Sequence, residues 1–166
     1  MTLEPCTIFH VRKLIEGAAA FERWSGWKVS EGYLEFPEAL GVTLHLLEKV
    51  SESPDRAWWE PFLFVHEADR VLMGLGGYKG PPDKGVVEIG YGIAHAYRRK
   101  GYAIEAAQAM ITHAFGFAKI HTVRAHTLPE VNASNRVLIK CGMSKVAVIN
   151  DPGEGVLWRW EIRRMD

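Results

Sequence analysis

Hydrophobic positions fall at helical spacing in the first third of the chain and in dense strand-like runs after it. Val11, Leu14, Ile15 and Ala18 lie on one helical stripe, and Ala39, Leu40, Thr43, Leu44 and Leu47 on another. Pro37 suits a first helical turn, where a missing N–H costs nothing. The region to about Val50 is therefore expected to be helical. Ser51-Glu52-Ser53-Pro54-Asp55 reads as a loop. Two apolar runs follow, Phe62–Val65 and Val71–Gly74, split by the polar residues 67–70, and they predict an antiparallel pair. The glycine- and proline-rich stretch 80–85 must break the chain before a third run, Val86 to Ile93.

That run leads to a basic elbow, Arg98-Arg99-Lys100-Gly101-Tyr102-Ala103. Beyond it, apolar residues at 103, 106, 107, 110, 111 and 114 return to helical spacing and predict a long helix with one buried face. His121 to Thr127 then reads as a strand and Ala133 to Lys140 as a helix. Met143–Ile149 against Val156–Ile162 reads as a hairpin turned by residues 150–155. This order predicts one α/β domain over residues 1–166, a mixed sheet with helices on its faces.

A strand, a short cationic loop with a glycine and a helix N-terminus together make an anion cradle. First-turn amides lack intrahelical acceptors, and the helix dipole adds partial positive charge there. Gly101 lets the backbone approach an anion closely, and Ala103 keeps the next position small. The feature predicts a diphosphate-bearing ligand, held chiefly by the amides of residues 99–103. Arg98, Arg99 and Lys100 add charge, and Lys100 or Arg99 is the alternative partner for a nucleotide's ribose phosphate. The plainer reading of such a charge run is a solvated loop.

Composition narrows the setting. Twenty Lys and Arg balance twenty Asp and Glu, so no global field recruits nucleic acid or an anionic membrane. Cys6 and Cys141 are far apart, and neither they nor His10, His45, His66, His95, His113 and His121 show metal-ligand spacing. No metal is expected, and a reduced cytoplasmic location is. The first residues lack a signal-peptide pattern, and no apolar run is long enough to span a membrane.

The elbow resembles the acyl-CoA-binding signature of the GNAT acetyltransferase superfamily, Gln/Arg-x-x-Gly-x-Gly/Ala, with Arg98, Gly101 and Ala103 in the fixed positions. Glu88-Ile89-Gly90-Tyr91 lies upstream. Downstream, the segment from Asn132 to Met143 is similar to the family's Asn...Ser...Val-Leu-Glu-Lys-x-Gly-Phe block. The similarity spans roughly residues 60–162 and leans toward the branch that acetylates N-terminal amines of ribosomal proteins. It implies a central, mostly antiparallel sheet with helices on both faces, and acetyl-CoA as co-substrate. The implied reaction is direct attack by a primary amine, of a small molecule or a protein N-terminus, in a ternary complex. A monomer or a homodimer is compatible with it. The alternatives are O-acyl transfer and a non-catalytic acyl-CoA-binding or sensor domain.

Such chemistry needs a proton removed from the ammonium form, a stabilised oxyanion and a proton for the departing thiolate. The resemblance points to Glu88 as base, and partial burial is expected to raise its pKa. The other reading makes Glu88 a structural residue that orders a neighbouring loop. His126 is the rival base: strand parity puts it beside Arg124 and opposite His121, and imidazole titrates in a useful range. A hydrogen-bonded strand-end histidine is the plainer alternative.

The family's asparagine near the pantetheine arm and serine near the sulfur correspond to Asn132 and Ser134, both also good helix N-caps. The usual spacing would put the asparagine at position 131, which here is Val131. Leu138 stands where many members carry a tyrosine general acid, which leaves Ser134 or water to protonate the thiolate. The thioester carbonyl is expected in a gap between the Glu88 strand and the His121–His126 strand, near the amides of Tyr91 to Ile93.

Gly74-Leu75-Gly76-Gly77 and Gly90-Tyr91-Gly92 imitate a dinucleotide fingerprint but lack its final glycine. They are read as sites of strand bulges or of close ligand approach. Trp27, Tyr33 and Trp58 are the candidate roof of an acceptor site whose substrate the sequence does not name.

Overall fold

The computed structural model describes residues 1–33, 37–50 and 59–165. Strand β1 (Thr2–Pro5) leads into helices α1 (Ile8–Ile15) and α2 (Ala18–Ser25), a short strand β2 (Lys28–Val29) and helix α3 (Pro37–Val50). Strands β3 (Phe62–His66), β4 (Val71–Tyr78) and β5 (Val86–Ile93) follow. The chain continues through α4 (Tyr102–Phe115), β6 (Thr122–Thr127), α5 (Ala133–Lys140), and the hairpin β7 (Ser144–Asp151) and β8 (Gly155–Arg163). The sheet runs β1-β3-β4-β5-β6-β8-β7, with β2 beside β4. Among the described residues, only the β5/β6 and β2/β4 pairs are parallel. This is the expected α/β class, a mostly antiparallel sheet flanked by helices.

Alternation along β3 and β4 divides the core between the two faces of the sheet. Phe64, Met73 and, from β5, Val87 and Ile89 pack with Ala106, Ala107 and Met110 of α4 and Leu138 of α5. Leu63, Val65 and Leu72 pack on the other face with Val11 and Leu14 of α1, Phe21 of α2 and Leu40 and Leu47 of α3. Burial on both faces explains why these strands read as unbroken apolar runs rather than as alternating ones. A fully buried leucine of this kind stabilises the fold by about 1.5–3 kcal/mol. Among the described residues no helix is long and apolar enough to cross a membrane.

The structure departs from expectation in the first fifty residues. Thr2–Pro5 is a strand paired with Phe62–Val65, a contact across sixty residues that no local pattern announces. The first helical stripe is cut at Gly17, whose φ of 114° ends α1 and starts α2. Ile15, expected on the buried stripe, is therefore exposed. The C-terminal turn is tighter than expected, because pairing continues to Asp151 and Gly155. The Asp151 side chain accepts from the amides of Gly153 and Glu154, which closes the loop in three residues. The proposed loop at 51–55 and the roof residue Trp58 lie outside the described residues.

The glycines of β4 also serve packing, beyond the bulge and ligand approach expected of them. A Cβ on Gly76 would stand 2.5 Å from Phe64 Cζ and 2.8 Å from the Gly90 carbonyl oxygen. Gly74 and Gly76 thus make room for the Phe64 ring and for β5. One register shift does fall at this stretch, between the pairs Phe64–Gly74 and Val65–Leu72, which leaves Met73 as the extra residue beside Gly74; the other is at Lys145/Ala147.

Candidate active site

Strand β5 changes partner along its length. Its first residues, Val86 to Glu88, pair with Thr122 to Arg124 of β6, whereas Ile89 to Ile93 pair only with β4. Beyond Glu88 the two strands part, and the sheet opens as a wedge with Glu88 at its apex. Lys79 N–H donates to the Glu88 carbonyl and Ala94 N–H to the Met73 carbonyl, both at 2.8 Å. Alternation of the antiparallel ladder then turns the backbone groups of Tyr91 and Ile93 away from β4 and into the wedge. Gly92 completes this wall: a Cβ there would meet nothing within 4 Å.

At the mouth of the wedge the basic elbow takes its shape from two left-handed residues, Arg99 (φ 60°) and Gly101 (φ 91°). Gly101 is the N-cap of α4 and brings no side chain to satisfy its first turn. Among the described residues, no backbone carbonyl accepts from the amides of Arg99 to Ala103. Successive amides in such a turn form an anion-binding concavity, reinforced here by a helix dipole. Arg98 does not simply project from the loop: its Nε donates to the Ile93 carbonyl at 2.9 Å and ties the elbow to the free edge of β5. The Lys100 ammonium lies 5.0 Å from the centre of the Tyr97 ring. Unpaired amides, a strand edge and an open glycine along one path fit a ligand with a diphosphate and a narrow amide-bearing arm.

Glu88 and His126 come together as one unit. Glu88 Oε1 takes the Lys79 ammonium at 2.8 Å and His126 Nδ1 at 3.0 Å. Oε2 has no partner among the described residues. Burial pushes the Glu88 carboxyl up, but hydrogen bonds and charge from Lys79 and His126 together outweigh it and hold the group below its ordinary value. The expected raised pKa is thereby corrected: burial acts in the anticipated direction, and two cationic or donating neighbours reverse it. His126 also accepts from Arg159 Nε at 3.1 Å, so both of its ring nitrogens are engaged.

Helix α5 forms the facing wall. Asn132 is its N-cap, with Oδ1 accepting from the Asn135 amide at 3.1 Å. Ser134 is not a cap; it stands exposed in the first turn and lines the cleft with Asn132. Leu138 is buried against α4 and the sheet, so this position faces the core and not the cleft.

The wedge opens into a cleft of about 620 Å³, lined by Tyr91, Gly92 and Ile93, by Arg98, by His126 and Lys79, and by Asn132 and Ser134. Its far side is apolar, with Tyr33, Leu40, Leu75 and Leu157. Tyr33 lines the cleft, and its enclosed hydroxyl has no partner among the described residues. Trp27 instead packs in the α1–α3 core, with its ring stacked on His10. Glu88 lines a smaller neighbouring cleft of about 360 Å³, and Lys79 is common to both. Among the described residues, the carboxylate that lines the main cleft directly is Glu154, on the β7–β8 turn. Nothing in its local sequence marks it, because its position depends on the length of the hairpin.

Comparison with known proteins follows the same lines. The profile of the family described as Acetyltransferase (GNAT) domain matches residues 2–144. An uncharacterised N-acetyltransferase of Bacillus subtilis, YjdG, is 31% identical over 85 residues, covering 51% of this chain and 51% of that protein. The chain thus spans about half the length of that curated relative. A GNAT-family acetyltransferase structure from Bacillus anthracis is 29% identical, with a TM-score of 0.55 over 62% of this chain and 65% of that one. The ribosomal-protein-S5-alanine acetyltransferase of Vibrio fischeri shares the fold over 97% of this chain and 91% of its own, with a TM-score of 0.70 at 16% identity.

Proposed function

The chain belongs to the GNAT acetyltransferases, and from that premise we propose that it moves an acetyl group from acetyl-CoA to a primary amine. The observation that carries the reading is the join between the elbow, with its unpaired amides, and the free edge of β5: Arg98 donates to the Ile93 carbonyl and lines the cleft, whose mouth the elbow adjoins without Arg99 to Ala103 lining it. Acetyl-CoA supplies the acetyl group as an activated thioester. The amides of Arg99, Lys100, Gly101, Tyr102 and Ala103 would hold its diphosphate, with Arg98 and Lys100 adding positive charge. The edge N–H groups of Tyr91 and Ile93 are donors preorganised for the thioester carbonyl. The side-chain N–H₂ of Asn132 has no partner among the described residues after Oδ1 caps α5, and Ser134, exposed on the first turn of α5 and lining the cleft, is the hydroxyl proposed to protonate the thiolate.

An amine attacks directly, so no nucleophilic side chain is required. Its proton leaves toward carboxylate, through water to Glu88 Oε2, which stays ionised at neutral pH. Glu154 supports a second reading of the base, because it lines the main cleft and Glu88 does not. Activity of Glu88→Gln and Glu154→Gln, each with acetyl-CoA affinity measured in parallel, separates them: the base is the residue whose loss lowers kcat by roughly a hundredfold or more.

Calorimetric titration with acetyl-CoA, CoA, dephospho-CoA and NADH, followed by thiol release with a panel of amines, tests the whole reading. Micromolar binding of acetyl-CoA, weaker without the ribose phosphate and absent for NADH, together with amine-dependent thiol release, supports it. Binding without thiol release makes the protein an acyl-CoA-binding domain, and absence of binding removes the elbow as a nucleotide site.

A further inference from the structure

We propose that Arg159 is a positioning residue that fixes the hydrogen-bonding direction of His126 and, through it, the setting of Glu88. The inference rests on the acetyltransfer reading above and concerns a residue that is not among those lining the cleft. Arg159 lies directly opposite His126 in the β6/β8 register. Its Nε carries a hydrogen at every accessible pH and can only donate. At 3.1 Å from His126 Nε2, it makes that nitrogen an acceptor without a proton. The ring's hydrogen is then on Nδ1, which faces Glu88 Oε1 at 3.0 Å.

The chain of bonds therefore runs one way, from Arg159 through His126 to Glu88. The opposite tautomer would set N–H against N–H at one end and a bare lone pair against a carboxylate at the other. The charged groups around His126 are consistent with this direction. Lys79 donates to the same Glu88 oxygen. Arg124 is taken up by Glu161, at 2.7 and 2.9 Å. Asp151 acts on the ring only through space, its carboxylate being bonded to the amides of its own turn, and Glu154 lines the cleft beyond it. With both nitrogens occupied, His126 is a connector and not the proton acceptor. It also bridges β6 to β5 just where their backbone pairing stops, so the link holds Oε1, and Oε2 has no partner among the described residues.

The first test needs no variant. Nitrogen-15 spectra of the intact protein at neutral pH are expected to show His126 with a protonated Nδ1 and a bare Nε2; a protonated Nε2 overturns the proposal. In Arg159→Met, Nε2 is expected to gain proton character, and kcat to fall about tenfold with the KM for acetyl-CoA unchanged. A double-mutant cycle then separates positioning from mere support of β8. If Arg159 acts through His126, adding Arg159→Met to His126→Ala changes kcat less than about twofold; an undiminished tenfold loss overturns the proposal. Unchanged kcat in the single variant does the same. A wild-type protein that binds acetyl-CoA but releases no thiol with any amine overturns the acetyltransfer reading, and the positioning role with it.

Discussion

Glu88 and His126 meet at 3.0 Å across the point where strands β5 and β6 part. One side-chain bond thus takes over where the backbone ladder ends. The same carboxylate oxygen also receives Lys79, the residue that follows β4 on the other side. Groups from both flanks of β5 thus meet on a single oxygen, and this arrangement sets how the carboxyl responds to pH.

Replacing Glu88 by Gln should cost stability in a pH-dependent way. In the folded protein the Glu88 carboxyl lies below its ordinary value of 4.5. The unfolded chain therefore binds that proton more tightly, so the stabilisation is complete above pH 4.5 and is lost as pH falls through the folded value. Thermal unfolding at pH 7 should show Glu88→Gln less stable than wild type by about 1 kcal/mol. The gap should narrow as pH falls below 4.5. A gap that is constant with pH would show that the carboxylate's charge is not what matters.

Lys79→Met removes one of the two groups that hold Glu88 ionised. Burial, the largest influence on this carboxyl, then meets less opposition, so its pKa rises. If Glu88 is the base, the acid limb of the kcat/KM profile moves to higher pH in Lys79→Met. If Glu154 is the base, that limb stays where it is in wild type. The profile measured for the two proteins with one amine decides the matter.

The elbow, both helices after it and the strand that feeds it were legible in the sequence because each is a local pattern. Val86–Ile93 and Ala133–Lys140 need only spacing to be read, and the cradle needs only Gly101 beside a helix start. What escaped depends on contacts made across the fold. The β1 strand exists because Phe62–Val65 offers it an edge. The lowered Glu88 pKa requires Lys79 and His126, brought to it by β4 and β6. Arg159 gives no local sign of its role, since the register of β8 against β6 is what sets it opposite His126.

Gly101→Ala tests the elbow's backbone. At φ 91° an added Cβ is strained although the space around it is open, and the strain costs about 1 kcal/mol. The larger expected effect is on ligand affinity, because a shifted elbow misaligns several amides at once. Calorimetry should show acetyl-CoA binding weakened by about tenfold or more, equivalent to some 1.4 kcal/mol. A variant that is destabilised yet binds acetyl-CoA as wild type does would remove these amides from the diphosphate site.

Gly76 and Gly92 lie on adjacent strands and should respond to substitution in opposite ways. A Cβ on Gly76 collides with the Phe64 ring and the Gly90 carbonyl, so Gly76→Ala forces β4 and β5 apart and should cost about 1–3 kcal/mol. A side chain on Gly92 meets no protein atom within 4 Å and extends into the cleft beside Tyr91 and Ile93. Gly92→Leu should therefore unfold within about 0.5 kcal/mol of wild type, as an exposed strand substitution does. It should nevertheless fill the path along the β5 edge and abolish acetyl-CoA binding. The comparison uses thermal unfolding and calorimetry on both variants. If Gly92→Leu binds acetyl-CoA unimpaired, the ligand does not run along this edge, and Tyr91 and Ile93 lose their place in the site.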